Sequence, residues 1–132
     1  MGRRRLDGRE SRNIDRLRGG SVGVVDLLAA EQGGSAFEAA ARICMENLNE
    51  PLDAVNEYLV AWKLYSEFLY EKAPPVMEQA LAKMKTMGRW RPAAQNSEAL
   101  AKFYNEKMHD NAKAIEWYKD CLRCYQQDPA PA

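Results

Sequence analysis

Residues 38–65 read EAAARICMENLNEPLDAVNEYLVAWKLY, and residues 98–125, sixty positions later, read EALAKFYNEKMHDNAKAIEWYKDCLRCY. Seven positions are identical at this offset, and many others keep their chemistry. The identical pairs are Glu38/Glu98, Ala39/Ala99, Ala41/Ala101, Glu46/Glu106, Ala54/Ala114, Tyr58/Tyr118 and Tyr65/Tyr125. Most retained positions are small or aromatic and recur at helical spacing, as close packing between paired helices requires. The two stretches therefore predict two related helix–turn–helix hairpins.

The fold class predicted for the whole chain is all-α, because no stretch alternates between apolar and polar residues with a period of two. We expect two antiparallel helical hairpins, at about 36–72 and 97–126, linked by a shorter helix at about 75–87. Pro74-Pro75 should open the linking helix. With 132 residues, the chain is long enough for one domain with a single core, which we place at 21–128.

Two glycines predict a helix boundary ahead of the first hairpin. Ser21 can cap a short helix that runs to about Gln32, and Gly33-Gly34 should end it. Ser35 and Glu38 then match a capping box, in which the serine oxygen accepts from the amide three residues on and the glutamate reaches back. We therefore expect a new helix to begin there and to run to about Leu48.

The next helix, at about 51–72, is predicted to be the longest, and Pro51 is tolerated in its first turn. It carries more aromatic residues than one buried stripe needs, so we expect it to pack on two sides. Tyr58, Trp62 and Tyr65 are candidates for an aromatic face that binds another protein.

In the second half, Gly88 is a typical residue after a helix end, and Arg89-Trp90-Arg91-Pro92 is predicted to be a non-helical linker. Asn96 or Ser97 should cap the next helix, and Asp110 the last. The apolar stripe expected on the last helix comprises Ile115, Tyr118, Cys121, Leu122 and Tyr125.

Small and aromatic residues of the second hairpin resemble the signature of a tetratricopeptide repeat. They are Leu100, Ala101 and Tyr104 on the first helix and Ala114, Tyr118 and Cys121 on the next, and Ala41, Ala54, Tyr58 and Ala61 fall at the same offsets in the first hairpin. In that family a small residue on each helix allows close approach and an aromatic residue fills the groove. The early Trp of the family is Ser97 here. The resemblance implies a tetratricopeptide-like packing of helical hairpins over about half the chain.

Charge divides the chain into a basic arm and a mildly acidic body. Residues 1–20 carry seven arginines against three acidic residues, a local charge of +4, and the other 112 residues carry −4. The arginines are Arg3, Arg4, Arg5, Arg9, Arg12, Arg16 and Arg18. Because this segment has little apolar content, we expect a flexible arm. Guanidinium groups suit phosphate or an acidic protein surface, and Arg89, Trp90 and Arg91 form a second, smaller patch of the same kind.

Residue types and their spacing exclude most catalytic chemistry. The single histidine, His109, falls at a predicted turn between helices, and no glycine-rich phosphate loop occurs. We therefore predict no enzyme, no cofactor, no metal site and no catalytic residues. Cys44, Cys121 and Cys124 are an odd set on apolar helix faces, which indicates thiols in an intracellular, reducing compartment. No apolar run of about 18 residues occurs, so we expect no membrane span.

Two functions fit these features. The first is a non-catalytic structural or adaptor subunit that makes protein–protein contacts in a larger assembly, with the arm as a clasp. The second is a nucleic-acid-associated subunit of a ribonucleoprotein or a viral or phage particle, whose arginines engage phosphate. The first is preferred, because aromatic residues are in surplus and catalytic groups are lacking. The expected partner is another protein or a multi-subunit complex, with nucleic acid as a possible partner of the arm.

Overall fold

The computed structural model describes residues 23–129, which form five α-helices and no strand. The helices are α1 (Val24–Glu46), α2 (Pro51–Phe68), α3 (Ala73–Thr86), α4 (Trp90–Glu106) and α5 (Asn111–Gln127), with a 3-10 turn at Tyr70–Lys72 before α3. Each helix packs against its neighbour in sequence. The all-α class is confirmed. The predicted arm at 1–20 lies outside the described residues.

Alanine sets how closely the helices approach one another. Ala41, Ala54, Ala61 and Ala101 are fully buried, which lets neighbouring helix backbones come close. α3 supplies larger side chains to the centre of the core, namely Met77, Leu81 and Met84, as the sequence predicted. α2 packs against both α1 and α3, so the prediction that it packs on two sides is confirmed.

The turn between α1 and α2 recurs between α4 and α5. Asn49 and His109, sixty residues apart, adopt positive φ angles of 55° and 54°. The amide of Glu50 donates to the carbonyl of Cys44 at 2.7 Å, and that of Asp110 donates to the carbonyl of Tyr104 at 2.9 Å. The sixty-residue correspondence in sequence is therefore also a correspondence in backbone geometry at both turns.

The predicted helix boundary at Gly33-Gly34 is wrong, because α1 runs without a break from Val24 to Glu46. Ser35 is exposed within the helix and does not cap it. A Cβ atom at Gly34 would overlap ring carbons of Tyr65 on α2. The glycine is therefore explained by the close approach of two helices and not by a chain reversal.

The boundary between α2 and α3 also differs from the prediction. α2 ends at Phe68 instead of about 72, and α3 begins at Ala73. Pro74 and Pro75 have no amide hydrogen to donate, and a proline ring collides with the carbonyl four residues earlier, so α2 cannot continue through them. The chain changes direction through the 3-10 turn, which places both prolines in the first turn of α3.

The predicted linker at Arg89–Pro92 is helical. α3 closes with Met87 and with Gly88 at a φ of 73°, as expected, but α4 then begins at once at Trp90. Pro92 lies in the first turn, where an amide hydrogen has no intrahelical acceptor, so it is compatible with the helix. Neither Asn96 nor Ser97 caps α4; both lie inside it.

The apolar stripe predicted for the last helix is mostly on its surface. α5 buries Ala114, Cys121 and Cys124, and of the predicted stripe only Cys121 is buried. Asp110 caps α5 as predicted, and its carboxylate accepts from the amide of Lys113 at 3.0 Å. Within residues 23–129, α4 is the one extensive helix neighbour of α5, so a second apolar side has no helix to cover it.

Candidate protein-interaction surfaces

Two of the three aromatic residues predicted to bind a partner lie in the core. Tyr65 is 1% exposed, and its hydroxyl donates to Glu38 Oε1 on α1 at 2.8 Å. Burial and this hydrogen bond raise the pKa of Tyr65 to about 12. Tyr58 is also buried, which raises its pKa. Both side chains hold α2 in place and present little surface to another molecule.

Trp62, the third of these residues, joins the two hairpins. Its ring meets that of Phe103 on α4 edge-on, with centroids 5.1 Å apart, and the ring of Tyr70 also packs edge-on against Phe103, with centroids 5.6 Å apart. The ammonium group of Lys107 lies 5.9 Å from the centroid of the Tyr70 ring. Trp62 is half-buried and Tyr70 is exposed. This aromatic junction connects α2 to α4, and sequence reasoning did not anticipate its Phe103 and Tyr70 members.

The patch at Arg89, Trp90 and Arg91 lies at the start of α4. Both arginines are exposed, whereas Trp90 is half-buried and packs against the core. Arg91 Nε donates to Asp128 Oδ2 at 2.9 Å, which ties the start of α4 to the end of α5. The patch therefore offers exposed guanidinium groups without an exposed aromatic platform. The arginines of the predicted arm lie outside the described residues.

A polar network fastens α3, α4 and α5 together. Asp120 on α5 accepts from Lys85 Nζ and from Ser97 Oγ, each at 2.8 Å. Burial tends to raise the pKa of Asp120, but these two hydrogen bonds and the positive charges of Lys85 and Arg123 together outweigh it and hold the pKa below its ordinary value. The contribution to stability is therefore present above the ordinary carboxyl pKa and is lost as the pH falls through the lowered value. This network explains why Ser97, a polar residue, is fully buried.

The buried thiols are part of the same packing and show no sign of reactivity. Burial raises the pKa of Cys121 and of Cys124, so both stay protonated near neutral pH. The three cysteines are free. Among residues 23–129 no group of His, Cys, Asp and Glu side chains could hold a metal ion. Over the same part of the chain, no helix has the length and apolar content needed to cross a bilayer.

The outer face of α5 is an uncovered apolar surface, formed by Ile115, Tyr118, Leu122 and Tyr125. These residues are 41–58% exposed. They follow one another at intervals of three, four and three residues and so lie on one side of the helix. The sequence pattern identified them as an apolar stripe but could not specify whether another helix covers it. A row of four large apolar side chains on one exposed helix face is typical of a docking surface.

Comparison with known proteins identifies the family of this chain. The family model described as soluble NSF attachment protein, SNAP, matches residues 29–132, more than three quarters of the chain and nearly all of its helical body. The chain belongs to the SNAP family. A probable vesicular-fusion protein sec17 homolog of Neurospora crassa is 34% identical to it over 101 residues, which are 76% of this chain and 35% of the relative. This SNAP-family chain thus spans about a third of the length of that relative. No solved structure matches it.

Family membership bears on the predicted function at a general level. SNAP-family proteins are non-catalytic adaptors, which confirms the prediction that this chain is not an enzyme. The general prediction of an all-helical protein-interaction module is confirmed as well. The helical hairpins fit the tetratricopeptide resemblance coarsely.

Proposed function

We propose that this chain is an attachment adaptor that binds NSF within the protein complexes of vesicle fusion. The observation that carries the proposal is the match of the SNAP family model over residues 29–132, which includes four whole helices and most of α1. The name of the family states attachment to NSF, and the name of the Neurospora relative states vesicular fusion. Since the chain spans 35% of that relative, its partners are part of the proposal.

The architecture supports an adaptor of this kind. Five helices packed in sequence order present long outer faces, as expected of a protein that works by contact and not by chemistry. The buried alanines Ala41, Ala54, Ala101 and Ala114 lie at matched positions of the two hairpins. On this basis we propose that the hairpins pack in the tetratricopeptide manner, with a small residue on each helix at the crossing.

The contacts proposed for the partner are charged. We propose that the basic arm, together with Arg89 and Arg91, clasps an acidic surface of the protein partner. Arginine suits this role because its charge cannot be titrated away and its planar group pairs with carboxylates through two hydrogen bonds. Such contacts would speed association and make it sensitive to salt. The three free cysteines are compatible with the reducing, intracellular compartment that the sequence predicted.

The proposal is tested by binding of the purified full chain to purified NSF, with and without nuclease. We expect binding that nuclease leaves unchanged. Replacement of Arg3, Arg4 and Arg5 together by Ala should weaken binding several-fold and make its salt dependence shallower, and replacement of the helix lysines Lys63, Lys102 and Lys113 serves as the charge-matched control. Absence of NSF binding by the intact chain would overturn the proposed function. Equal losses of affinity in the two triple variants would mean that the basic arm makes no specific contribution to NSF binding.

The alternative of a nucleic-acid-associated subunit has no support in the comparisons. The nuclease treatment in the same experiment tests this alternative directly. Loss of partner capture after nuclease treatment, with a steep fall in affinity with salt, would favour this alternative.

A further inference from the structure

An apolar cleft of about 390 Å³ lies where the start of α1 meets the 3-10 turn ahead of α3. Leu27 lines one side, and the segment from Phe68 to Lys72 lines the other. Leu27 and Phe68 are half-buried and Tyr70 is exposed, so apolar surface here is in contact with solvent. Val24 lies one turn before Leu27 on the same side of α1 and is 71% exposed, which extends this apolar surface to the beginning of the helix.

The charge around this cleft is negative. Lys72, the basic residue of the lining, donates to Glu31 Oε2 at 3.2 Å and is neutralised by it. Glu71 lines the cleft and Asp26 directly precedes Leu27, and neither carboxylate has an ion-pair partner among residues 23–129. Three carboxylates against one ammonium group give a local charge of −2. The cleft therefore favours a basic segment that also carries aliphatic side chains.

One segment of the chain outside the described residues combines basic charge with aliphatic side chains. Residues 12–18 read RNIDRLR and carry three arginines against one aspartate, a charge of +2. They include Ile14 and Leu17, two of the few aliphatic residues ahead of Gly23. The family match begins at residue 29, so family membership does not account for this segment.

The length of chain ahead of α1 is sufficient for this segment to reach the cleft. Leu17 is six residues before Gly23, and six residues span at most about 20 Å. Leu27 lies four residues beyond Gly23, about 6 Å along the helix axis. To return along α1 the chain must reverse direction, and Gly19-Gly20 suits a reversal because glycine adopts backbone angles that other residues avoid.

We propose that residues 12–18 bind this cleft of the same molecule, with Ile14 and Leu17 against its apolar walls and the arginines beside Asp26 and Glu71. Segment and cleft have opposite charges of equal size. The short connection makes the binding intramolecular, with an effective concentration in the millimolar range, so a segment of another molecule would have to compete with the tethered one.

The inference does not depend on the proposed binding of NSF. It narrows the expectation of a flexible arm to the residues ahead of Arg12, and it leaves Arg3, Arg4 and Arg5 available for the clasp proposed above. The arm then has two parts, one bound to the chain itself and one open to a partner.

Hydrogen–deuterium exchange of the full chain, read by mass spectrometry over residues 68–73, tests the proposal. A short turn at the surface exchanges rapidly unless another segment covers it. Leu17→Ser should raise the exchange rate of these amides at least threefold, because it removes an aliphatic side chain from the cleft. Leu6→Ser is the matched control: it makes the same change ahead of the docked segment and should leave the rate unchanged.

The contribution of charge is measured in the same way. Replacement of Arg16 and Arg18 together by Glu should raise the exchange rate over residues 68–73. Replacement of Arg3 and Arg4 together by Glu makes the same change of charge ahead of the segment and should not. High salt should raise the rate in wild type, because it weakens the same attraction.

Three outcomes would overturn the proposal. The first is equal exchange over residues 68–73 in wild type and Leu17→Ser. The second is an equal increase in Leu17→Ser and Leu6→Ser, which would mean that the arm does not bind through residues 12–18. The third is protection in wild type that grows with protein concentration, since the covering segment would then belong to a second molecule. All the substitutions lie ahead of the helical body, so unchanged circular dichroism spectra should show that the variants are folded.

Discussion

Gly33 and Gly34 are adjacent in α1 but differ in the space around them, and substitution of each by alanine tests this difference. Gly34→Ala should reduce the free energy of unfolding by about 1–3 kcal/mol, because its Cβ would overlap the ring of Tyr65. The ring cannot move aside without losing the hydrogen bond to Glu38. Urea unfolding followed by circular dichroism measures the change.

Gly33→Ala is the matched control for this prediction. Its Cβ would lie 3.2 Å from Cδ1 of Leu64, the far end of a flexible side chain that can shift. Alanine is favoured over glycine inside a helix by about 0.5–1 kcal/mol, so this variant should be as stable as wild type or slightly more stable. Equal destabilisation by both substitutions would mean that Gly34 is not at a close helix contact.

The raised pKa of Tyr65 predicts a loss of stability in alkaline solution. In the unfolded chain the phenol ionises near pH 10, whereas in the folded chain its pKa is about 12. Between these values the unfolded state releases a proton that the folded state keeps, so the free energy of unfolding falls as the pH rises above 10.

Tyr65→Phe should therefore behave differently at neutral and at alkaline pH. At pH 7 we expect it to cost about 1–2 kcal/mol, through loss of the hydrogen bond to Glu38. Above pH 10 its stability should fall less steeply than that of wild type, although Tyr58 and Tyr104, whose pKa values burial also raises, keep part of the slope. Urea midpoints at pH 7, 9, 10 and 11 measure this; parallel curves for the two proteins would contradict the assignment.

At the scale of helices, matched alanines set the two hairpin crossings. Ala54→Leu and Ala114→Leu should each reduce the free energy of unfolding by about 1–3 kcal/mol, because both sites are buried and a larger side chain would push the paired helices apart. Ala112→Leu, at an exposed position of α5, adds the same volume where space is free and should change stability by less than about 0.5 kcal/mol. If Ala114→Leu and Ala112→Leu have the same free energy of unfolding in urea, Ala114 does not lie at a close crossing of α4 and α5.

For the whole molecule, the aromatic junction should make the hairpins unfold together. Phe103 is buried between Trp62 and Tyr70, so Phe103→Ala should cost about 3–5 kcal/mol and should lower the stability of both hairpins. Ile115→Ala, on the exposed face of α5, is the control and should have little effect. We expect circular dichroism and tryptophan fluorescence to give one coincident urea transition in wild type. Separate transitions would show that each hairpin unfolds alone.

Sequence by itself determined the elements that local chemistry controls. Helical periodicity, the Pro74-Pro75 pair and Asp110 as a cap depend on neighbours within a few residues, so the sequence alone predicts the all-α class, the capped start of α5 and the inward methionines of α3. The sixty-residue correspondence likewise predicted the repeated hairpin, because the small and aromatic residues that it keeps recur at helical spacing on both helices. The sequence also shows no pattern of residues typical of a catalytic or metal-binding site.

Only the tertiary structure decided what each apolar face meets. The sequence predicts a helix end at Gly34, but the structure shows that Tyr65 packs closely against this glycine within a continuous helix. The sequence likewise predicts that Ser97 caps a helix, but in the structure its hydroxyl donates to Asp120 on α5. The periodicity of α2 and of α5 marks an apolar stripe on both helices, but burial depends on a neighbouring helix that a pattern within one helix cannot specify. Tyr58 on α2 is buried, with Glu38 of α1 and Gln79 of α3 beside it, whereas Tyr118, its counterpart on α5, is 41% exposed.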